Sequence, residues 1–217
     1  MASHIGITMT QADTVDTMEK PLSLCLKEGT HRIHENLDNR LSGFAPFADE
    51  QSYRRFLRMQ LRLQCATAPL YQAEELQKLF PGLAARSRLL EVEADCRDLN
   101  VSDSDLSFDR LAGTTALITG MPAAVGWLYT NEGSNLGAAF LFKLARDKLG
   151  LSESHGARHL AGHPDGRGLH WKRFKAQLDA LAFTEEDKAQ AVRGARDAFA
   201  FVNSAVEELM ADLPRPA

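Results

Sequence analysis

Residues 122–149 read PAAVGWLYTNEGSNLGAAFLFKLARDKL. Pro122 suits the first turn of a helix, Gly150 suits its end, and the spacing of apolar residues between them predicts one uninterrupted helix. Yet Gly126, Gly133 and Gly137 lie inside it, and a glycine in a helix interior costs about 1 kcal/mol relative to alanine. At 100° per residue the three fall within about 40° of one another. Ala123 and Thr130 extend this smooth stripe, and Tyr129 stands at its edge. Two readings fit. A neighbouring helix packs closely against exposed backbone, or a flat ligand presses on it.

The helical period continues outward in both directions. After Pro21, the residues Leu26, Thr30, Ile33, His34, Leu37 and Leu41 recur at spacings of three and four, one face of a helix. A long helix is expected over 52–79, kinked at Pro69 and stopped by FPG at 80–82. Another is expected over 83–99, followed by a polar loop over 100–109. A Gly/Pro/His-rich loop at 156–168 precedes helices over 169–181 and 185–213. No run of alternating β-branched residues argues for a strand. The expectation is an all-α fold in a single domain over 21–213, after a polar, disordered segment over 1–20.

Composition narrows the function. The chain has 217 residues and a net charge of −4, with no lysine or arginine block, so the basic footprint of a nucleic-acid-binding protein is missing. No apolar run reaches membrane-spanning length. Three scattered cysteines, Cys25, Cys65 and Cys96, fit reduced thiols in a cytoplasmic protein. No glycine-rich phosphate loop follows a strand, so a nicotinamide-binding Rossmann unit is not expected.

The stretch LKEGTHRIH, residues 26–34, carries two histidines. His34 lies on the apolar face, whereas His31 lies about 60° round, nearer the edge. Lys27 precedes His34 by two turns on the same face, roughly 10 Å along the axis. That is about the distance from the iron of a porphyrin to its propionates. An imidazole for iron and an ammonium for a carboxylate therefore share one helix face.

At these residues the chain resembles the haem oxygenases. LKEGTHRIH is similar to the family's proximal-helix signature, whose final histidine is the axial ligand of haem iron. YTNEGSNLGAAFLFKLA, residues 129–145, is similar to the distal-helix signature of the bacterial branch. The likeness continues through LFPGLAARSR, GLSESHGARHL, WKRFKAQLDAL and ARDAFAFVNSAVEEL.

The resemblance implies a helical fold with haem b held between a proximal and a distal helix, and His34 as the iron ligand. It implies oxidative cleavage of haem by O2 to biliverdin, CO and Fe2+, with electrons from an external donor, a ferredoxin or a flavin reductase. A monomer serving iron release from haem is the corresponding physiology. Gly133, Ser134 and Gly137 become the distal catalytic surface, and Lys27, Tyr129 and Lys175 become anchors for the propionates. The animal enzymes carry an aspartate where this chain has Ser134 and a glycine where it has Ala138, so a carboxylate-centred water network does not carry over. Members that cut at the α position have a lysine and a tyrosine matching Lys27 and Tyr129. Members that cut mainly at δ have an asparagine and a phenylalanine there, and a lysine matching Leu144. Biliverdin IXα is the expected isomer.

The remaining constellations are read blandly. His155, His159 and His163 stand four apart, but Gly156, Gly162 and Pro164 interrupt the helix that would align them, and an exposed loop is expected. Trp171, Phe174, Phe199 and Phe201 read as core, and Lys143 and Arg146 as a solvated face. The competing functions are a haem carrier that leaves its cargo intact and a thiaminase-like relative, which would need a nucleophilic cysteine.

Overall fold

The computed structural model describes residues 20–211. The expected segment over 1–20 lies almost wholly outside them, as do residues 212 and 213. The described residues form eight α-helices: α1 (Leu22–Gly43), α2 (Glu50–Gln72), α3 (Glu74–Leu79), α4 (Leu89–Asp98), α5 (Asp103–Thr114), α6 (Met121–Leu149), α7 (Arg167–Asp179) and α8 (Glu185–Met210). Two 3-10 turns, Leu83–Arg86 and Arg158–Leu160, complete the order. The fold is all-α. No described helix is long and apolar enough to cross a membrane.

Three elements depart from the sequence reading. The helix expected over 52–79 runs through Pro69 as part of α2 and breaks at Ala73, whose ψ of 118° is extended. The helix expected over 83–99 is a 3-10 turn and then α4, parted at Ser87, whose ψ is 138°. The polar loop expected over 100–109 is the start of α5. There Ser102 caps the helix by accepting a hydrogen bond from the Asp105 amide at 3.1 Å, and Asp103 and Asp105 sit favourably in the first turn. A Ser-x-x-Asp start followed by Leu106 was a readable capping signal.

The helix over 122–149 forms as expected and ends at Gly150, which adopts φ +68°. Helix α8 begins with a capping box between Thr184 and Asp187. It is the platform of the molecule: α6, α1 and α2 all pack along it. The contact with α6 is a backbone-to-backbone seam. A Cβ at Gly126 would stand 2.0 Å from the Ala191 carbonyl, and one at Gly194 would stand 2.4 Å from the Ala123 carbonyl. Helix α1 takes the adjacent flank of α8, where the Arg196 guanidinium donates to the Gly29 carbonyl at 2.8 Å. Helices α1 and α6 therefore share a floor, and the floor rather than mutual contact sets their separation.

Candidate haem-binding site

Helix α1 buries Leu22, Leu26, Thr30 and Leu37. His34 lies at the margin of that face rather than in its middle, and its side chain is 54% exposed. The reason is the open flank: α8 covers only one side of α1 at this level. The His34 ring meets Phe199 of α8 edge-on at 5.6 Å between centroids, and its Nδ1 faces Asp38 Oδ2 at 3.4 Å. Nε2 makes no hydrogen bond or ion pair among the described residues. His31 has the opposite arrangement, with Nε2 turned to Glu35 at 3.4 Å. An axial imidazole needs one free nitrogen and a carboxylate or carbonyl holding the other. Both histidines approach a carboxylate four residues on at ion-pair distance, with Nε2 of His34 and Nδ1 of His31 as the nitrogens outside that contact.

On α6 the glycine stripe divides into two. Gly126 belongs to the α8 seam. At Gly133 a Cβ would meet only the Trp171 ring edge, at 3.7 Å, and at Gly137 it would meet nothing within 4 Å. Leu136 and Phe140 beside them are 45% and 67% exposed. Two helical glycines with open space above them, flanked by uncovered apolar side chains, make a surface to which a flat apolar ring can come close. The packing reading holds for Gly126 and fails for Gly133 and Gly137.

Tyr129 sits one turn before Gly133, half-buried, tilted against Trp171 at 5.5 Å, and it reaches the Thr30 hydroxyl of α1. Lys27 lies one turn before Thr30 on α1, is exposed, and has no ion-pair partner among the described residues. Lys175 on α7 is half-buried. Lys143 is exposed and Arg146 pairs with Asp147 on the surface. Phe174 is core, stacked on Phe80, whereas Trp171 is only partly covered.

Ser134 is exposed, and its hydroxyl donates back to the Asn131 carbonyl at 2.7 Å. The distal surface thus presents no carboxylic acid. Glu132, on the same helix, faces away from it. Its carboxylate accepts from Tyr71 at 2.8 Å and from Arg86 at 2.8 Å, and burial pushes its pKa up. Asn131 donates to Tyr71 at 2.8 Å and to Thr67 at 3.1 Å, and accepts from Gln64 at 2.9 Å. Sequence reasoning missed this buried chain. Its signal was a Gln, a Thr, an Asn and a Glu on the inward faces of otherwise apolar helices. Fixing Asn131 and Glu132 fixes the rotation of α6, and hence the direction in which Gly133 and Gly137 point.

The histidine-rich loop also corrects an expectation. His155 is exposed, but His159 is buried, with Nδ1 2.7 Å from Asp95, and His163 stacks on His170 at 4.0 Å. The three do not converge, and no described cluster of His, Cys, Asp and Glu is arranged to hold a metal ion. Burial raises Cys65 to about 11 and Cys96 to about 12, which suits neither as a nucleophile.

Comparisons with known proteins identify the family and the fold. The family model described as "Heme oxygenase" matches residues 20–208. Heme oxygenase PigA of Pseudomonas aeruginosa is 40% identical over 179 residues, spanning 78% of this chain and 83% of the relative. The NO- and CO-bound heme oxygenase of Neisseria meningitidis is 38% identical and superposes with a TM-score of 0.78, covering 90% of this chain and 96% of that one. Heme oxygenase-1 of Synechocystis, solved with heme, shares the fold at 20% identity, with a TM-score of 0.64 over 89% of this chain and 94% of that one.

Proposed function

We propose, from the premise that the chain belongs to the haem oxygenase family and is a haem-degrading oxidoreductase, that its own residues hold haem b between α1 and α6. The observation that carries the placement is the pair Gly133 and Gly137, whose side-chain space is open while Gly126, on the same stripe, is jammed. Bound haem supplies the redox-active iron and is itself the substrate, opened by O2 and electrons to biliverdin, CO and Fe2+.

His34 holds the iron through Nε2, with Asp38 orienting the ring through Nδ1. An imidazole lacks the electron push of a thiolate. Gly133 and Gly137 admit the ring face and form a wall without a side chain. Ser134, with its proton turned to the Asn131 carbonyl, offers no strong acid over that face. Lys27 and Tyr129 meet the propionates at the mouth through charge-assisted hydrogen bonds, the stronger kind, and Lys175 is a third candidate from α7. Electrons come from a separate ferredoxin or flavin reductase. The protein acts as a cytoplasmic monomer in the release of iron from haem.

With Lys27 and Tyr129 seating the propionates and Leu144 in place of a competing lysine, the expected product is biliverdin IXα. The test is chromatography of the bilin after turnover with haemin and a ferredoxin system. A dominant IXα peak is expected, and Lys27→Asn combined with Tyr129→Phe should give mixed isomers. A dominant β or δ isomer from the unmodified protein would overturn the seating. Retention of the Soret band with no bilin formed would overturn the haem-degrading reading in favour of a carrier.

A further inference from the structure

Val192, Arg196 and Phe199 recur at spacings of four and three, so they share one face of α8 over about two turns. Each meets α1. A Cβ at Gly29 would overlap Val192 Cγ1, while Val192 Cβ would lie at 3.4 Å, an ordinary contact. Arg196 Nε donates to the Gly29 carbonyl at 2.8 Å. The Phe199 ring, 6% exposed, meets the His34 ring at 5.6 Å between centroids. Gly29 precedes His34 by about 7.5 Å along the axis of α1, so the first two contacts fix where the third falls. A neighbouring flank of the same α8 turns carries α6. There a Cβ at Gly126 would run into the Ala191 carbonyl and the Ala195 amide, and the Thr130 hydroxyl donates to the Ala195 carbonyl at 3.3 Å.

Granted the haem-degrading reading above, on which this rests, we infer that Val192 and Arg196 are positioning residues for the haem reaction. Val192 is the stop, and Arg196 the latch, that set how far α1 stands off α8, and with it the place of His34 relative to Gly133 and Gly137. A valine in a helix keeps one strongly preferred rotamer, so its methyls do not swing aside and the stop is hard. Arg196 is exposed, so its bond to Gly29 holds α1 in register without filling the core. Gly29 itself has no side chain to crowd the carbonyl that Arg196 reaches. Because α1 and α6 rest on the same stretch of α8, a displacement of α1 alone changes the relation of the imidazole to the distal surface. A misplacement of about 1 Å at a reacting group costs rate on the order of a hundredfold. Haem affinity, spread over both ring faces and the propionates, responds less.

The iron–histidine stretching frequency of the ferrous haem complex reads the placement of the imidazole without turnover. Gly29→Ala should keep the helical content of the apo-protein, since alanine is the better helix former. It should nevertheless shift that frequency and slow bilin formation by roughly tenfold to a hundredfold, with a smaller change in haem affinity. Adding Val192→Ala removes the methyl that the new Cβ strikes, and should return frequency and rate towards the unmodified values. A merely structural role predicts the reverse, because a second large-to-small change would add to the damage. Arg196→Met keeps the stem and removes the donor at an exposed position; it should shift the frequency with the fold intact, and it decides the matter if Gly29→Ala does not fold. An unshifted frequency in Gly29→Ala and Arg196→Met overturns the inference, as does a folded double variant that recovers neither frequency nor rate. Failure of the unmodified protein to show the iron–histidine stretch or to cleave haem would instead overturn the reading on which it rests.

Discussion

Gly126 and Gly137 lie on the same stripe of α6 and do opposite work. At Gly126 the missing Cβ lets two backbones touch, so an added methyl has nowhere to go. Gly126→Ala should destabilise the apo-protein by about 1–3 kcal/mol or more, read as a shift in a urea midpoint. At Gly137 the space is empty, and alanine is the better helix former. Gly137→Ala should leave the apo-protein as stable or up to about 1 kcal/mol more stable, while Gly137→Val should impair haem oxidation with helical content kept. Loss of helix in the Gly137 variants would mean that the stripe is one packing seam throughout. The sequence showed that three glycines shared a face, because helical geometry alone dictates that. It could not show that the face divides, because the division depends on where α8 leaves α6. The same limit applied to His34. Its register was readable, but its half-exposure follows from how far α8 reaches along α1.

At the scale of elements, buried polar groups set the positions of the helices around the site. Asp109 of α5 is fully buried and accepts from Arg58 at 2.6 Å and from Arg62 at 2.7 Å. Arg62, itself 3% exposed, also donates to Glu208 of α8 at 2.7 Å and 3.0 Å. This network ties α2, α5 and α8 together. Removing one partner from a buried ion pair leaves an uncompensated charge and costs about 3–5 kcal/mol. Asp109→Ala should therefore lower stability on that scale in chemical denaturation, whereas a loss under 1 kcal/mol would mean that solvent reaches the arginines. Helix α5 escaped the sequence reading because its charged residues looked like a solvated loop. Asp109 is charged and buried only because two arginines from α2 meet it, and composition does not record pairing. The break at Ala73 was hidden for a similar reason, since nothing in the run APLYQAEELQ distinguishes a kink at Pro69 from a stop four residues later.

For the whole molecule, the all-α architecture and the order of its long helices were legible from periodicity, and two signature stretches marked the helices proposed to hold haem. The buried supports were not. They include the Gln64–Asn131–Tyr71–Glu132–Arg86 chain, which continues to His170 at 3.4 Å. Burial and the nearby Arg86 hold the His170 pKa down, from 6.5 to about 4. In the unfolded chain the imidazole protonates near its ordinary value, whereas in the folded protein it stays neutral until much lower pH. Stability is therefore full above about pH 6.5 and is lost as the pH falls towards about 4. His170→Asn should flatten this part of a stability-versus-pH curve; an unaltered slope would assign the acid sensitivity to other groups. The central claim concerns how the folded helices are used: α1 and α6, carried on α8, face each other across a haem whose iron His34 holds. The most direct test is the absorption and EPR spectrum of the ferric haem complex in His34→Ala and His31→Ala. The account predicts that His34→Ala loses the histidine-ligated spectrum and partly regains it with added imidazole, while His31→Ala keeps it. Retention of that spectrum in His34→Ala, with its loss in His31→Ala, would contradict the account.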